Sequence, residues 1–276
     1  MRSVARAAYP LPNIVLVENH EHAAVLRSGH APNGDRTLAI SLGMPSMEPE
    51  VWRKDVRRAR ERLSPGQMLI VSVVGTPVPG GDAEALAADY ARCAAWAAEA
   101  GADAIEVQLA GPGLDPHQGL LLYEDLRTSA HVLSCVRSHV SRPIIAKLGA
   151  FRSPRLLHDS LTKLAPWVHG FELVHGIQRR VLDAEGRPLF EGKDREVAQI
   201  VGADTYGACS RQVDEALAWR KAGEWHRVIL AVGGVTSIDR VMRALREGAD
   251  AVLVGTAALA DPLMAMRFRA AAQSAA

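Results

Sequence analysis

From residue 51 onward the chain alternates between short apolar runs and longer amphipathic stretches. The runs at 68–74, 104–109, 143–147, 170–174, 228–235 and 248–256 contain few polar residues, the pattern of strands buried on both faces. Helices are predicted between them. One covers 50–63 and closes at Ser64-Pro65-Gly66. Asp82 caps an alanine-rich helix that runs to Ala100, where Gly101 ends it. Others fall at 123–140, near 154–164, at 212–222 and at 237–247, with a last one after Asp261-Pro262. Residues 180–190 carry Asp183-Ala-Glu-Gly186 and read as an inserted hairpin.

Six buried strands alternating with helices predict a parallel α/β fold with right-handed crossovers. An open doubly wound sheet would carry its phosphate glycines after the first strand. Here Gly233, Gly234 and Gly255 follow the last two strands. The expectation is therefore a (β/α)8 TIM-barrel type, a single domain over 1–276 whose regular part is 51–276.

Residues 1–50 break that rhythm. Strands are expected at 13–17 and 37–41, separated by a polar stretch that ends at the hairpin-type dipeptide Asn33-Gly34. The segment reads as irregular strands and loops over one end of the domain, leaving the barrel irregular or incomplete there. His20 and His22 would share a face of a strand and, with His30, could be taken for metal ligands. No further ligand set accompanies them, and the reading adopted is a solvated loop.

Composition narrows the function classes. A formal charge of +1 leaves no electrostatic footprint for nucleic acid or an anionic membrane. The basic residues between Arg53 and Arg62 share their helix with Asp55 and Glu61, as a solvated face does. Cys93, Cys135 and Cys209 have no metal-type spacing, and their odd number argues against a disulfide framework; a reducing, cytoplasmic setting is expected. No apolar run approaches the ~20 residues of a membrane span, and the first ten residues are too poor in apolar positions for a signal peptide. The partner class is a small molecule, with self-association left open.

The candidate chemistry sits at strand ends. Glycines directly after strands expose backbone N–H groups to an anion, and the last two strand ends of a barrel are its usual phosphate site. Gly233, Gly234, Gly255 and Thr256 are the candidates; the plain alternative is that the glycines serve only tight turns. Lys147 ends the strand at 143–147. Glu106 and Glu172 point from neighbouring strands, either as acids or as ion-pair partners of Lys147. His175 follows the strand at 170–174, where barrel enzymes place catalytic groups, and histidine titrates near neutrality. It is the candidate for proton transfer, against the alternative of a loop histidine bonded to backbone. His117 is a weaker candidate of the same kind, and Cys209 reads as a small buried residue.

In order and spacing these segments resemble the dihydroorotate dehydrogenase family, flavin mononucleotide (FMN) enzymes on a (β/α)8 barrel. Tyr9-Pro-Leu-Pro12 is similar to the family's early proline-rich loop, Ser41-Leu-Gly-Met-Pro-Ser46 to its Gly-Leu-Pro-Asn loop, and Ile144-Ile-Ala-Lys147 to its Val-Lys-Leu strand. The resemblance implies that Lys147 reaches the flavin's pyrimidine edge. It also implies that Gly207, Gly233, Gly234, Gly255 and Thr256 lie at its phosphate. The substrate side departs from the pattern. The catalytic loop Asn-Leu-Ser-Cys-Pro-Asn is replaced by Gln108-Leu-Ala-Gly-Pro-Gly113, so the base position is Gly111, which cannot take a proton. Positions where the family holds the substrate ring with asparagines are Ser46, Gln108, Gly113 and His175. Gln108 can still meet a substrate carbonyl or the flavin. The family's first strands would precede Met1, through a late start, a truncation or a real deletion; a chain complete without them is expected to expose a sheet edge and to be poorly stable or to pair with another chain.

The expected function is an FMN-dependent oxidoreductase acting on CH–CH bonds of a small cyclic or unsaturated substrate other than dihydroorotate. Two alternatives stay open: a catalytically degenerate relative that acts as a binding or partner subunit, and a barrel that binds a phosphorylated substrate.

Overall fold

The computed structural model describes residues 12–27, 36–43, 45–78, 80–111, 113–114, 121–192, 195–223 and 226–274. Strands are β1 (Ile14–Asn19), β2 (Ala23–Leu26), β3 (Thr37–Ile40), β4 (Ile70–Val73), β5 (Ala104–Gln108), β6 (Ile144–Lys147), β7 (Gly170–Leu173), β8 (Ile177–Leu182), β9 (Val197–Gly202), β10 (Val228–Ala231) and β11 (Ala251–Val252). Helices are α1 (Pro49–Glu61), α2 (Ala83–Glu99), α3 (Leu126–His139), α4 (Pro154–Leu164), α5 (Tyr206–Ala222), α6 (Ile238–Glu247), α7 (Thr256–Ala260) and α8 (Met264–Ser274). They fall into two compact units, one holding residues 43–172 and 226–228, the other 12–42, 173–223 and 229–274.

In the first unit, β4, β5, β6 and β7 lie side by side and parallel. Side chains alternate across a strand, so this sheet has two chemically distinct faces. One is apolar: Ile105, Val107, Ile144, Ala146 and Phe171 are fully buried. Ser72, Glu106, Lys147 and Glu172 occupy the other face in register, since Ser72 pairs with Glu106 and Lys147 with Glu172. The helices follow their sequence signals. The Asp82 carboxylate accepts from Ala85 N at the start of α2, and Gly101 ends that helix at φ +111°. The small residues Ala87, Ala91, Ala94 and Ala97 are buried, which lets α2 pack closely on α3.

The second unit contains a closed five-stranded barrel in the order β1-β2-β8-β9-β3. Its pairings are antiparallel except β2 with β8. Five strands enclose a narrow lumen that side chains must fill. Val17, Ala24, Ala39, Ile177, Val181, Ala198 and Ile200 are accordingly buried and mostly small. The expected hairpin at 180–190 is a turn off this barrel, where the Asp183 carboxylate accepts from the Glu185 and Arg187 amides. Its flanking strand β8 begins at Ile177, and β9, outside the expected set, completes the wall. The strands foreseen at 13–17 and 37–41 are present as β1 and β3, but they belong to this barrel rather than to loose loops.

Parallel βα units thus form as the apolar runs predict, and all six expected runs contain strands. Among the described residues the strands of these units, β4 to β7 and β10 with β11, lie in an open sheet and not in the closed barrel. The mixed α/β class holds, and the parallel sheet with its helices is compatible with a TIM-like fold; the described residues do not show a full eight-stranded barrel.

Candidate functional site

The polar face of the first unit's sheet holds a row of hydrogen-bonding groups. Ser72 Oγ donates to Glu106 Oε1 at 2.6 Å. Lys147 Nζ lies 3.3 Å from Glu106 Oε1 and 2.7 Å from Glu172 Oε1. The second contact is an ion pair off the direction of a full hydrogen bond, and both Glu172 oxygens are buried without a well-directed donor among the described residues. Burial, together with the neighbouring Glu106, pushes the Glu172 carboxyl up to about 8. Burial also works to raise Glu106, but the hydrogen bond with Glu172, the Lys147 charge and the Ser72 hydroxyl outweigh it and hold Glu106 below the ordinary range. Lys147 is raised: desolvation opposes its charge, and the two carboxylates more than offset that. The ion-pair alternative for Lys147 is therefore present with both glutamates at once.

One position beyond this row, Gln108 pairs in register with Lys147. Its Oε1 accepts from Ala110 N at 2.9 Å, which leaves the amide NH2 as the end able to donate. The loop that follows is pinned. Tyr90 donates to Gln108 O, Tyr123 N to Leu109 O and Leu122 N to Gly111 O. Gly111 and Gly113 are buried in it and present no side chain. Ser46 is exposed and turns its hydroxyl to Met47 O, so nothing in its own contacts aims it at a ligand.

In the second unit, β10 and β11 pair in parallel, Ala231 with Val252, so Gly233 and Gly255 leave adjacent strands at the same end. No backbone hydrogen bond among the described residues uses the N–H of Gly233, Gly234, Gly255 or Thr256. Packing explains part of the glycine usage. At φ +107° a Cβ on Gly233 would sit 2.5 Å from Cys209 Sγ, and at φ +68° one on Gly234 would sit 2.5 Å from Tyr206 N. Gly255 has nothing within 4 Å of a Cβ and a negative φ, so packing does not demand glycine there. Gly207 is exposed near the start of α5, with only Arg211 within reach of a Cβ. His175 is half-buried in the segment after β7 and engaged in an interaction within the protein.

A cation at the glycine turn has no motif in the sequence. Arg240, in the first turn of α6, donates to Gly234 O at 2.7 Å and Thr236 Oγ1 at 3.0 Å, and stacks 4.2 Å above the Tyr206 ring. Its only sequence signal is its place one turn beyond Gly-Gly-Val-Thr. A shallow cleft nearby lies between α5 and α6, lined by Tyr206, Asp214, Gly233 and Arg243, and is partly open to solvent.

These turns can take an anion: among the described residues four backbone N–H groups have no backbone acceptor, a guanidinium stands at Gly234, and there is open space at Gly255. His20 and His22 are exposed, and the described residues contain no group of three metal-ligating side chains. His117, His30, Asn33-Gly34 and residues 9–11 lie outside the described residues. Among the described residues no helix is long and apolar enough to cross a membrane.

Over 287 aligned positions the chain is 25% identical to a dihydroorotate dehydrogenase of Dictyostelium discoideum, spanning 97% of this chain and 76% of the relative. No family model matches the chain.

Proposed function

We propose that the chain is an FMN-dependent oxidoreductase of the dihydroorotate dehydrogenase kind, acting on a small cyclic or unsaturated substrate other than dihydroorotate. The observation that supports it most is the similarity to a dihydroorotate dehydrogenase along 97% of the chain. When bound, FMN supplies hydride transfer at its N5. The chain's own residues do the rest. Gly233, Gly234, Gly255 and Thr256 offer backbone donors to a phosphate, and Arg240 adds positive charge at the turn. Gly207 opens the adjoining helix start. Lys147, held between two carboxyl groups, offers a cation to negative charge on a ring. Gln108 offers its NH2 to a carbonyl, and His175 is the proposed proton-transfer group.

The substrate assignment follows from lost donors and acceptors. A buried polar ring facing Gly111 and Gly113 finds no side chain, and each unsatisfied polar group costs ~1–3 kcal/mol. Dihydroorotate, with several ring amide groups, is poorly matched.

A second reading has its own support, that of a catalytically silent relative acting as a binding or partner subunit. It draws on the loop after β5, where the base position is Gly111, and on β4, which among the described residues pairs only with β5 and has Ile70 37% exposed, with Met68 before it 65% exposed. The visible absorption spectrum before and after adding FMN separates the readings. Bound flavin with bands displaced from those of free FMN, weakened by Lys147→Met, supports the enzyme. A colourless protein that cannot be loaded overturns it.

A further inference from the structure

Glu106, Lys147 and Glu172 together pose a charge problem. Fully ionised, they would leave one uncompensated negative charge, yet their side chains are 5%, 16% and 0% exposed. An unbalanced charge in such a place is costly. Among the described residues no second cation lies within ion-pair distance of either carboxyl group, and no donor is directed at Glu172. What remains is a proton. Both carboxyl groups converge on one ammonium, Lys147 Nζ standing 3.3 Å from Glu106 Oε1 and 2.7 Å from Glu172 Oε1, and a proton held on the more deeply buried of the two leaves the trio neutral. The charged or titratable groups acting on the three come from β5, β6 and β7 alone, and are these three themselves; β4 adds only the Ser72 hydroxyl.

We propose that Glu172 is a positioning residue for Lys147: it shares a proton with Glu106, which leaves the ammonium charge available to a ligand, and it gains or loses that proton as negative charge beside Lys147 comes and goes. The ligand class is an anion, or a group that becomes anionic, meeting the exposed side of Lys147. The step is a proton transfer only. An O–H bond forms at Glu172 as one breaks in hydronium or water, the proton entering by way of Ser72, which is exposed, and then the buried Glu106; no bond to the ligand is made. The flavin reading above supplies the identity of the ligand; the shared proton does not depend on it.

The coupling has a sign. Where Glu172 is already protonated, an anion binds without proton uptake. Above about pH 8, where it ionises, each anion bound draws in one proton, and affinity falls about tenfold per pH unit.

Two measurements test this. Infrared difference spectra of the ligand-free protein should show a protonated carboxyl band at neutral pH that titrates away near pH 8 and is missing in Glu172→Gln. Ser72→Ala, which removes only the hydroxyl on Glu106, should keep the band but shift it. In FMN-loaded protein, the midpoint potential followed against pH should show one extra proton taken up per electron pair above that pH. Glu172→Gln should lack it. No carboxyl band in the wild type, a band that survives in Glu172→Gln, or equal proton counts in the two proteins would overturn the proposal. Failure to load FMN overturns the flavin reading instead, and the infrared result then decides this one alone.

Discussion

Glu172 sits 2.7 Å from the Lys147 ammonium on the neighbouring parallel strand and yet favours its neutral form, because burial and Glu106 outweigh that attraction. Its pKa stands above that of an unfolded chain, so the folded state binds more protons between the two values. Stability is then fully present below the unfolded glutamate range, near 4.3, and is lost as pH rises towards about 8. Glu172→Gln removes the titration while keeping a donor for Glu106. The variant should match the wild type in acid and exceed it by a few kcal/mol above pH 8. Urea unfolding at several pH values measures the difference; parallel curves for the two proteins would contradict it.

Lys147→Met removes the cation and leaves both carboxyl groups buried. Breaking a buried pair by losing one partner costs ~3–5 kcal/mol, and here part is recovered by protonating the second carboxyl group. Lys147→Met should therefore unfold at lower denaturant than the wild type, with a deficit that widens from pH 6 to pH 9. A pH-independent deficit would mean that lost packing, not charge, dominates.

Arg195 ties together segments far apart in sequence. It is 4% exposed, donates from Nε to Ser41 Oγ and from Nη2 to the carbonyls of Pro12 and Ser41, and stacks on Phe190. Arg195→Met keeps the apolar stem and strips the donors from these acceptors, which should cost about 2–4 kcal/mol. Arg195→Lys should fall between, because a single ammonium cannot reproduce the planar fork. Equilibrium unfolding measures both, and a neutral Arg195→Met would show that water replaces the guanidinium freely.

The parallel strands were legible because β5, β6 and β7 lie in short apolar runs, almost wholly buried and broken only by Glu106, Gln108, Lys147 and Glu172, which local sequence records directly. The five-stranded barrel was not, for two reasons. Ala23–Leu26 is four residues long and follows His20-Glu21-His22, so it reads as loop. Val197–Gly202 alternates buried residues with exposed or half-buried ones, and its partner β3 lies more than 150 positions away, where local periodicity says nothing. The start of α5 was set six residues late because Gly207 and Ser210 are weak helix formers. Within the site, pairing of Lys147 with Glu106 and Glu172 could be read from strand phase. The shared proton could not, since it depends on how completely Glu172 is buried. Arg240 escaped notice because a basic residue on an amphipathic helix looks like solvent-facing charge.

His169 accepts a hydrogen bond from Ile144 N at its Nδ1, 2.9 Å away, and faces Arg137 through Nε2. Desolvation, then the charges of Arg137 and Arg227, lower its pKa below the ordinary 6.5. A histidine with a lowered pKa supports the fold above its unfolded value, and that support is lost as pH falls from there through the folded value. Protonation also converts the Nδ1 acceptor into a donor facing another donor. Thermal melts should show the wild type losing more stability than His169→Asn between pH 7.5 and pH 5. Equal losses would place the acid sensitivity elsewhere.

The glycine turns can be made to separate packing from binding. Gly234 combines φ +68° with a Cβ position 2.5 Å from Tyr206 N, so Gly234→Ala must strain the backbone or displace the start of α5. A cost of about 2 kcal/mol or more is expected, visible as a lower melting temperature without any ligand. Gly255 has a negative φ and open space around a Cβ, so Gly255→Ala should melt within about 0.5 kcal/mol of the wild type. If an anion approaches that backbone closely, the added methyl group occupies the approach, and FMN affinity should drop at least tenfold while stability holds. Titration of FMN fluorescence into both proteins reads this directly. Unchanged affinity in Gly255→Ala would remove Gly255 from the phosphate site and leave its glycine without a physical reason, whereas a matching loss of stability would turn it into an ordinary tight turn.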